Sequence, residues 1–370
     1  MAGSWKEAEK LAQAEKNKQQ WRPLSVSKIV NESSEIKSFY LQPDSEIKFP
    51  FEPGQFLTIQ GNVHEKEHIR TYSLSSAPAD SEYRISVKRD GVFSSFLHDE
   101  VKVGDVLNAK APTGAFTYDA AEVRPAVLLS AGVGITPMVS IARHAMSEAI
   151  RTRSLRPLTI FAAAKNAKTR AFKQELKSIE EQSGGQISTY WTLSDEPNVD
   201  EDFQHAGRIS ADLLQSVLPI ADYEFYLCGP ASFMQSMYGM LRNLGVSDNR
   251  IKAEAFGPAS LQRDVAESET GLGDSELAVD AIVEYAHSGV EQRWSPADGS
   301  LLEFSEAHGF EPEFGCRSGQ CGACKVQLVS GEVSYQSAVS ADLAEDEILL
   351  CCAKPAAVAG EGTPRLILGL

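Results

Sequence analysis

Six cysteines stand in the chain of 370 residues: Cys228, Cys316, Cys321, Cys324, Cys351 and Cys352. The run Cys316-x4-Cys321-x2-Cys324, followed by a late cysteine at Cys351 or its neighbour Cys352, has the spacing at which four thiolates hold a 2Fe–2S cluster. Gly315, Gly319 and Gly322 interleave the run, and residues without a Cβ let a loop close tightly and aim backbone N–H groups at cluster sulfurs. A structural zinc is the first alternative. Zinc ribbons, however, bring their ligands as two short-spaced pairs, and here the late ligand has no such companion. Nothing in the sequence points to the oxidising compartment that disulfides need.

Two further groups of residues suit nucleotides. Arg70-Thr71-Tyr72-Ser73 combines a guanidinium fork for a phosphate, a flat ring and a hydroxyl donor. Alone, these four residues describe a surface turn equally well. With Val87, Lys88, Gly91, Val92, Phe93 and Ser94 downstream they suit a flavin nucleotide, the Gly91-Val92-Phe93-Ser94 turn letting main-chain N–H groups approach a phosphate. Gly132-Val133-Gly134-Ile135-Thr136-Pro137 follows an apolar strand and opens a helix, so its N–H groups face a pyrophosphate, although the third glycine of the dinucleotide fingerprint is missing. Cys228-Gly229-Pro230 ends a later strand of the same unit, where a parallel sheet binds ligands. By itself that segment is a small buried thiol before a helix.

The elements that must position these groups come in three textures. Residues 21–122 hold short β-rich segments at 24–30, 36–41, 55–60, 83–89 and 106–111, separated by turns such as Pro53-Gly54, which predicts an antiparallel barrel or sandwich; Arg70 is expected to start another β-segment. In residues 123–257, strands at 126–131, 158–163, 186–193 and 223–228 alternate with helices at 138–149, 171–182, 210–217 and 231–244, the pattern of a parallel α/β domain. Residues 258–276 read as a linker. In residues 277–370 the sequence predicts a strand at 277–286, a helix at 300–308 and otherwise loop around the cysteines. Residues 1–20 form a polar extension to which no function is assigned.

With 42% hydrophobic and 23% charged residues, the composition excludes collagen, a mucin stalk and bulk disorder. The longest apolar runs, 126–131 and 348–352, fall short of the ~20 residues a membrane helix needs, and no apolar leader opens the chain, so a cytoplasmic protein without membrane contact is expected. The net charge of −16 argues against nucleic acid as a partner. Residues 258–370 hold 6 basic and 19 acidic residues, a balance of −13 that leaves only −3 for the rest. Such an acidic end is either a solubilising surface or one that steers a basic partner.

The order and spacing of Arg70-Thr71-Tyr72-Ser73, of residues 132–137 and of Cys228-Gly229-Pro230 resemble the ferredoxin–NADP reductase superfamily. With the cysteine-rich segment behind them, residues 21–370 resemble the phthalate dioxygenase reductase type. The stretch 83–116, including Lys88-Arg89, Ser94, Leu97-His98 and Pro112-x-Gly114-x-Phe116, is closer to the reductase part of flavohaemoglobins.

The resemblance implies a flavin-binding antiparallel β-barrel, a nicotinamide-binding parallel α/β domain and a β-grasp ferredoxin-like domain. FAD is the expected flavin and FMN the alternative. Arg70, Thr71, Tyr72 and Ser73, with Val87 and Lys88, are implied to contact the flavin, Gly91, Val92, Phe93 and Ser94 its pyrophosphate, and Thr136 its ring edge. Gly132, Gly134, Pro137, Cys228, Gly229 and Pro230 are implied to line the NADH site. Glu254-Ala255-Phe256-Gly257 matches the closing segment of the family, which places Phe256 beside the flavin ring. Plant-type ferredoxins end their motif Cys-x3-Pro; Cys351 to Pro355 matches, which selects Cys351 as fourth ligand with Cys316, Cys321 and Cys324, and makes Cys352 a buried neighbour.

A 2′-phosphate needs a cationic fork, and the comparable stretch here reads Thr192-Leu193-Ser194-Asp195-Glu196, whose carboxylates favour NADH; Lys165, Lys168 and Arg170, expected to be solvated, are the other candidate charges. The expected activity is transfer of a hydride from NADH to the flavin, with Ser73 and Cys228 orienting it. Single electrons then leave through the cluster to an acceptor protein with a basic docking surface, an oxygenase component being the implied partner. The alternatives are a self-contained NADH oxidase or hybrid-cluster-protein reductase and, from another class, a non-enzymatic redox sensor or zinc-stabilised interaction module.

Overall fold

Strands β1 (Arg22–Asn31), β2 (Ile36–Pro43), β3 (Phe56–Val63), β4 (Lys66–Ser73), β5 (Tyr83–Lys88) and β6 (Val106–Ala109) form one six-stranded sheet in the order β4-β3-β6-β1-β2-β5. Its pairings β1 with β2, β1 with β6 and β2 with β5 are antiparallel. Leu24, Val26, Phe39, Leu41, Ile85 and Val87 recur at every second position and are buried, which curls the sheet around an apolar interior. The computed structural model describes residues 20–43, 48–196, 205–256, 261, 263, 276–317, 319, 322–335, 339, 341, 343–357 and 362–370, without the side chains of 255 and 256. The N-terminal extension up to residue 19, most of the 258–276 linker and Cys321 lie outside them. Two compact units result: Trp21–Leu57 with Tyr72–Asp264, and Thr58–Thr71 with Val265–Leu370.

Two readings of this region need correction. The residues after Gly91 do not form a mere turn but begin a helix, α1 (Val92–Asp99), whose Phe93 and Leu97 are buried one turn apart. Arg70 lies in the second half of β4, not at its start, because the charged residues ahead of it are already in the strand.

The second sheet is parallel, with strands β7 (Ala126–Ala131), β8 (Leu158–Ala164), β9 (Ile187–Leu193), β10 (His205–Ala206), β11 (Glu224–Pro230) and β12 (Ile251–Phe256) in the order β10-β9-β8-β7-β11-β12. Helices α2 (Ile135–Thr152) and α3 (Lys173–Gln182) cover one face, α4 (Ala211–Val217) and α5 (Ala231–Asn243) the other. The apolar run of β7 divides accordingly: Leu128 packs with Ile160, Met138 and Leu176, while Val127 and Leu129 pack with Phe161, Leu213 and Met234. Burial on both faces is why this strand reads as continuous apolar sequence. Strand order reverses beside β7, so the carboxyl ends of β7 and β11 flank a crevice.

The barrel is fastened to the α/β layer by an ion-pair ladder. Arg143 of α2 donates to Asp80 (2.7 Å) and to Glu175 of α3 (2.6 Å), and Glu175 also accepts from the buried Arg84 of β5 (2.8 Å). Ser140 donates to the Ser76 carbonyl at 2.7 Å. Arg156 forms a second knot, donating to the carbonyls of Arg124 (2.6 Å) and Asp119 (2.9 Å) and to Glu224 (2.8 Å).

In the other unit, β13 (Ala281–Tyr285), β14 (Val290–Trp294), β15 (Lys325–Ser330), β16 (Val333–Tyr335), β17 (Glu347–Leu349), β18 (Ala353–Pro355) and β19 (Arg365–Leu368) make a five-stranded sheet, β14-β13-β19-β15-β17, and a separate β16-β18 pair. Strand β19 runs parallel to β13 and antiparallel to β15. Helix α6 (Leu301–Ala307) buries Leu301, Leu302 and Phe304 in a core with Tyr285, Trp294, Leu349 and Leu366. This corrects the expectation of loop beyond residue 308: three-residue strands such as β16 and β18 carry too little alternation to be legible, and gain their hydrogen bonds from partners distant in sequence. Among the described residues no helix is long and apolar enough to cross a membrane.

Candidate functional site

At the switch point, β7 ends in a single 3-10 turn, Gly132–Gly134, that runs directly into α2. No side chain caps this turn and no acidic residue occupies the first turn of α2, so its N-terminal N–H groups are suited to an anion. Gly134 has an ordinary helical backbone; its lack of a Cβ matters because one built there would lie 2.1 Å from the Cys228 carbonyl oxygen. The missing side chain thus lets the ends of β7 and β11 touch. Thr136 is buried and its hydroxyl donates to the Val133 carbonyl (3.0 Å), so it braces its own turn; Pro137 is buried beside it.

Cys228, Gly229 and Pro230 close β11, and the register pairs Cys228 with Glu254 and Pro230 with Phe256 of β12. Ser73, at the end of β4, donates its hydroxyl to Glu254 (3.3 Å). Cys228 is wholly buried; that burial, and then the Glu254 charge, push its thiol well above the ordinary range. Ser73, Glu254, Cys228 and the Gly134 turn therefore meet, whereas the Phe256 side chain lies outside the described residues.

Tyr72 stacks on Phe93 with centroids 6.5 Å apart. Gly91 caps α1 with φ +99°, a conformation that L side chains resist, and no side chain caps the helix. The amino end of α1, at Gly91 and Val92, suits a pyrophosphate oxygen. Ser94 is committed locally, accepting from the Asp90 N–H (2.8 Å) and donating to the Gly91 carbonyl (3.1 Å). The Val87 side chain is core, and its carbonyl meets His98 Nε2 at 2.8 Å. Lys88 pairs with Glu35 at 3.4 Å. Arg70 and Thr71 precede Tyr72 on β4; Arg70 Nη1 donates to Glu313 and to the Ile69 carbonyl (2.9 Å).

Beyond β9, Glu196 accepts from the Ala167 N–H (2.7 Å) and Ser194 donates to Asp195 (2.8 Å). Arg170 is buried rather than solvated, and directly follows the turn that the Asn166 capping box closes.

For the cluster loop, the antiparallel register of Lys325 with Leu349 sets Cys324 beside Leu350 and Cys351, with the Leu350 N–H on the Cys324 carbonyl (3.2 Å). Hydrogen bonds from Cys324 and Cys352, the Gly319 N–H and the Arg317 charge hold the Cys351 thiol far below its ordinary range. Cys352 instead sits in the core and leans on the Leu349 carbonyl. Gly319 and Gly322 have positive φ, Gly315 does not, and Arg317 takes a left-handed conformation. The described cysteines form no disulfide. Cys316 lies in the same loop, and among the described residues no group of three metal-binding side chains closes, the run's central cysteine, Cys321, being outside them. The donor set and its N–H environment fit a 2Fe–2S cluster.

The oxidoreductase FAD-binding domain family matches residues 22–118, the oxidoreductase NAD-binding domain family 128–238, and the 2Fe-2S iron-sulfur cluster binding domain family 286–356. The FAD/NAD-binding domain of a nitric oxide dioxygenase from Vibrio cholerae is 38% identical with a TM-score of 0.57, over 64% of this chain and 99% of that one. The chain belongs to the ferredoxin–NADP reductase superfamily. It carries FAD-binding, NAD-binding and 2Fe–2S cluster binding domains. The flavohemoprotein of Bacillus subtilis is 36% identical over 261 residues, 70% of this reductase but only 61% of that protein. Phthalate dioxygenase reductase, at 23% identity and a TM-score of 0.56, shares the fold across 95% of this chain and 98% of its own.

Nothing in the local sequence marks Glu254, although it stands two residues before Phe256; only the β11–β12 register reveals that it pairs with Cys228. Glu313 was equally silent, since 243 residues separate it from Arg70.

Proposed function

We propose that this reductase oxidises NADH and releases the electrons singly to an acceptor protein, such as an oxygenase component. A bound flavin supplies the exchange between paired and single electrons, and a bound 2Fe–2S cluster the one-electron outlet. In this reading the Gly132 and Gly134 turn receives the NADH pyrophosphate, and Cys228, Gly229, Pro230, Thr136 and Pro137 wall the nicotinamide. Arg70, Thr71, Tyr72, Ser73, Val87, Lys88 and the α1 N-terminus from Gly91 to Ser94 hold the flavin, with Phe256 behind it. Cys316, Cys321, Cys324 and Cys351 are the metal ligands.

The observation that carries the reading is the meeting of Ser73, Glu254, Cys228 and the Gly134 turn at the carboxyl ends of β7 and β11. Ser73 and Cys228 there orient the reacting rings, and Glu254 holds Ser73. Asp195 supports NADH over NADPH, since a carboxylate repels a 2′-phosphate. The −13 balance of residues 258–370 supports docking of a basic acceptor steered by charge.

Anaerobic titration with NADH and then NADPH, followed by absorbance, tests the reading. Flavin and cluster bands should both bleach, faster with NADH; a protein without flavin, or a cluster that stays oxidised, overturns it.

A further inference from the structure

Lys66, His68 and Arg70 alternate along β4 and therefore point to one side of the strand. All three meet one carboxylate. Glu313 lies 3.7 Å from Lys66 Nζ, 3.6 Å from His68 Nδ1 and in direct contact with Arg70 Nη1. Phe314 joins the contact, its carbonyl 3.4 Å from the same nitrogen and its ring 5.4 Å from the Arg70 guanidinium carbon. The ring also carries Arg317 at 4.2 Å, and Cys316 is two residues further on. Every hydrogen bond of Arg70 among the described residues uses Nη1; Nε and Nη2 make none.

We propose that Glu313 is a positioning residue that fixes the cluster loop on β4 through Arg70, one guanidinium serving Glu313 with Nη1 and the flavin phosphate with Nε and Nη2. The proposal rests on the flavin assignment of Arg70 made above. A planar fork with five donors can satisfy two anions at once, and two anions on one cation fix each other's separation. Lys66 and His68 keep the carboxylate in register. The strand that carries Arg70 thus also holds the cysteine loop, through Glu313 and the Phe314 carbonyl.

The test is Glu313→Gln in the full-length holoprotein, with iron content and the spin-resonance spectrum of the reduced cluster as loading controls. Bleaching of the flavin by NADH, and NADH-driven ferricyanide reduction, should stay within about twofold of the native protein, while the following reduction of the cluster slows by about tenfold or more. Added potassium chloride should slow that second step in the native protein and not in the variant. Should the Gln variant lose cluster, Lys66→Gln with His68→Gln, remote from the cysteines in sequence, tests the same contact. Native-like cluster reduction in the variant overturns the proposal. So does tighter FAD binding by the Glu313→Gln apoprotein, which would mean that Glu313 competes with the phosphate. Failure of the native protein to bind flavin, or to reduce the cluster after it, refutes the functional reading instead.

Discussion

Ser73 Oγ donates to Glu254 Oε2 across 3.3 Å, tying the end of β4 to the strand that runs beside Cys228. If Glu254 orients Ser73, Glu254→Gln keeps the shape and weakens the tie. Flavin reduction by NADH should slow by about 10- to 100-fold while flavin content, thermal midpoint and KM for NADH stay near native. Anaerobic stopped-flow measures this; a change confined to KM would assign Glu254 to NADH binding.

Gly134 and Gly132 differ in what a methyl group would meet. At Gly134 it would strike the Cys228 carbonyl, whereas at Gly132 it has open space and only the φ of +57° to resist it. Gly134→Ala should cost about 1–3 kcal/mol of stability and weaken NADH binding at least tenfold, by spreading β7 from β11. Gly132→Ala should cost about 1 kcal/mol. Thermal unfolding and NADH titration of both variants decide; equal losses would contradict the packing argument.

Glu224 gives the stability a defined pH dependence. Burial alone would raise its carboxyl, but hydrogen bonds from Arg156 and Tyr226 and the charge of Lys252 outweigh that and leave it below the ordinary value of 4.5. The carboxylate thus stabilises the fold above about pH 4.5, and that contribution disappears as pH falls through the lower folded-state value. Glu224→Gln should be less stable than native at neutral pH, with the gap closing below about pH 4.5. Urea unfolding across pH measures it; a constant gap would assign the loss to packing.

Asp195 sets the cofactor preference if its neighbour Glu196 is occupied in holding the Ala167 N–H. Asp195→Arg should raise kcat/KM for NADPH relative to NADH by about tenfold or more. An unchanged ratio would direct attention to Lys168 and Arg170.

What the sequence made legible was whatever depends on neighbours a few residues away. The run Ala126–Ala131 announces a strand buried on both faces, the Gly-rich turn after it announces a helix start, and Cys316, Cys321 and Cys324 announce a metal loop. The α1 helix was hidden because Gly91 and two serines carry turn chemistry while only Phe93 and Leu97 mark its buried face. Strands β16 to β18 were hidden by their length. Glu254 and Glu313 were hidden for another reason: each is an ordinary surface-type residue until a strand register or a distant β-hairpin brings a partner to it.

Cys228 has a consequence for durability. Its sulfur keeps its proton and is sealed from solvent. Peroxide attacks thiolates that it can reach, and this one offers neither the charge nor the access. A soft sulfur at the junction of β7 and β11 can therefore pass through repeated oxidative exposure without corroding.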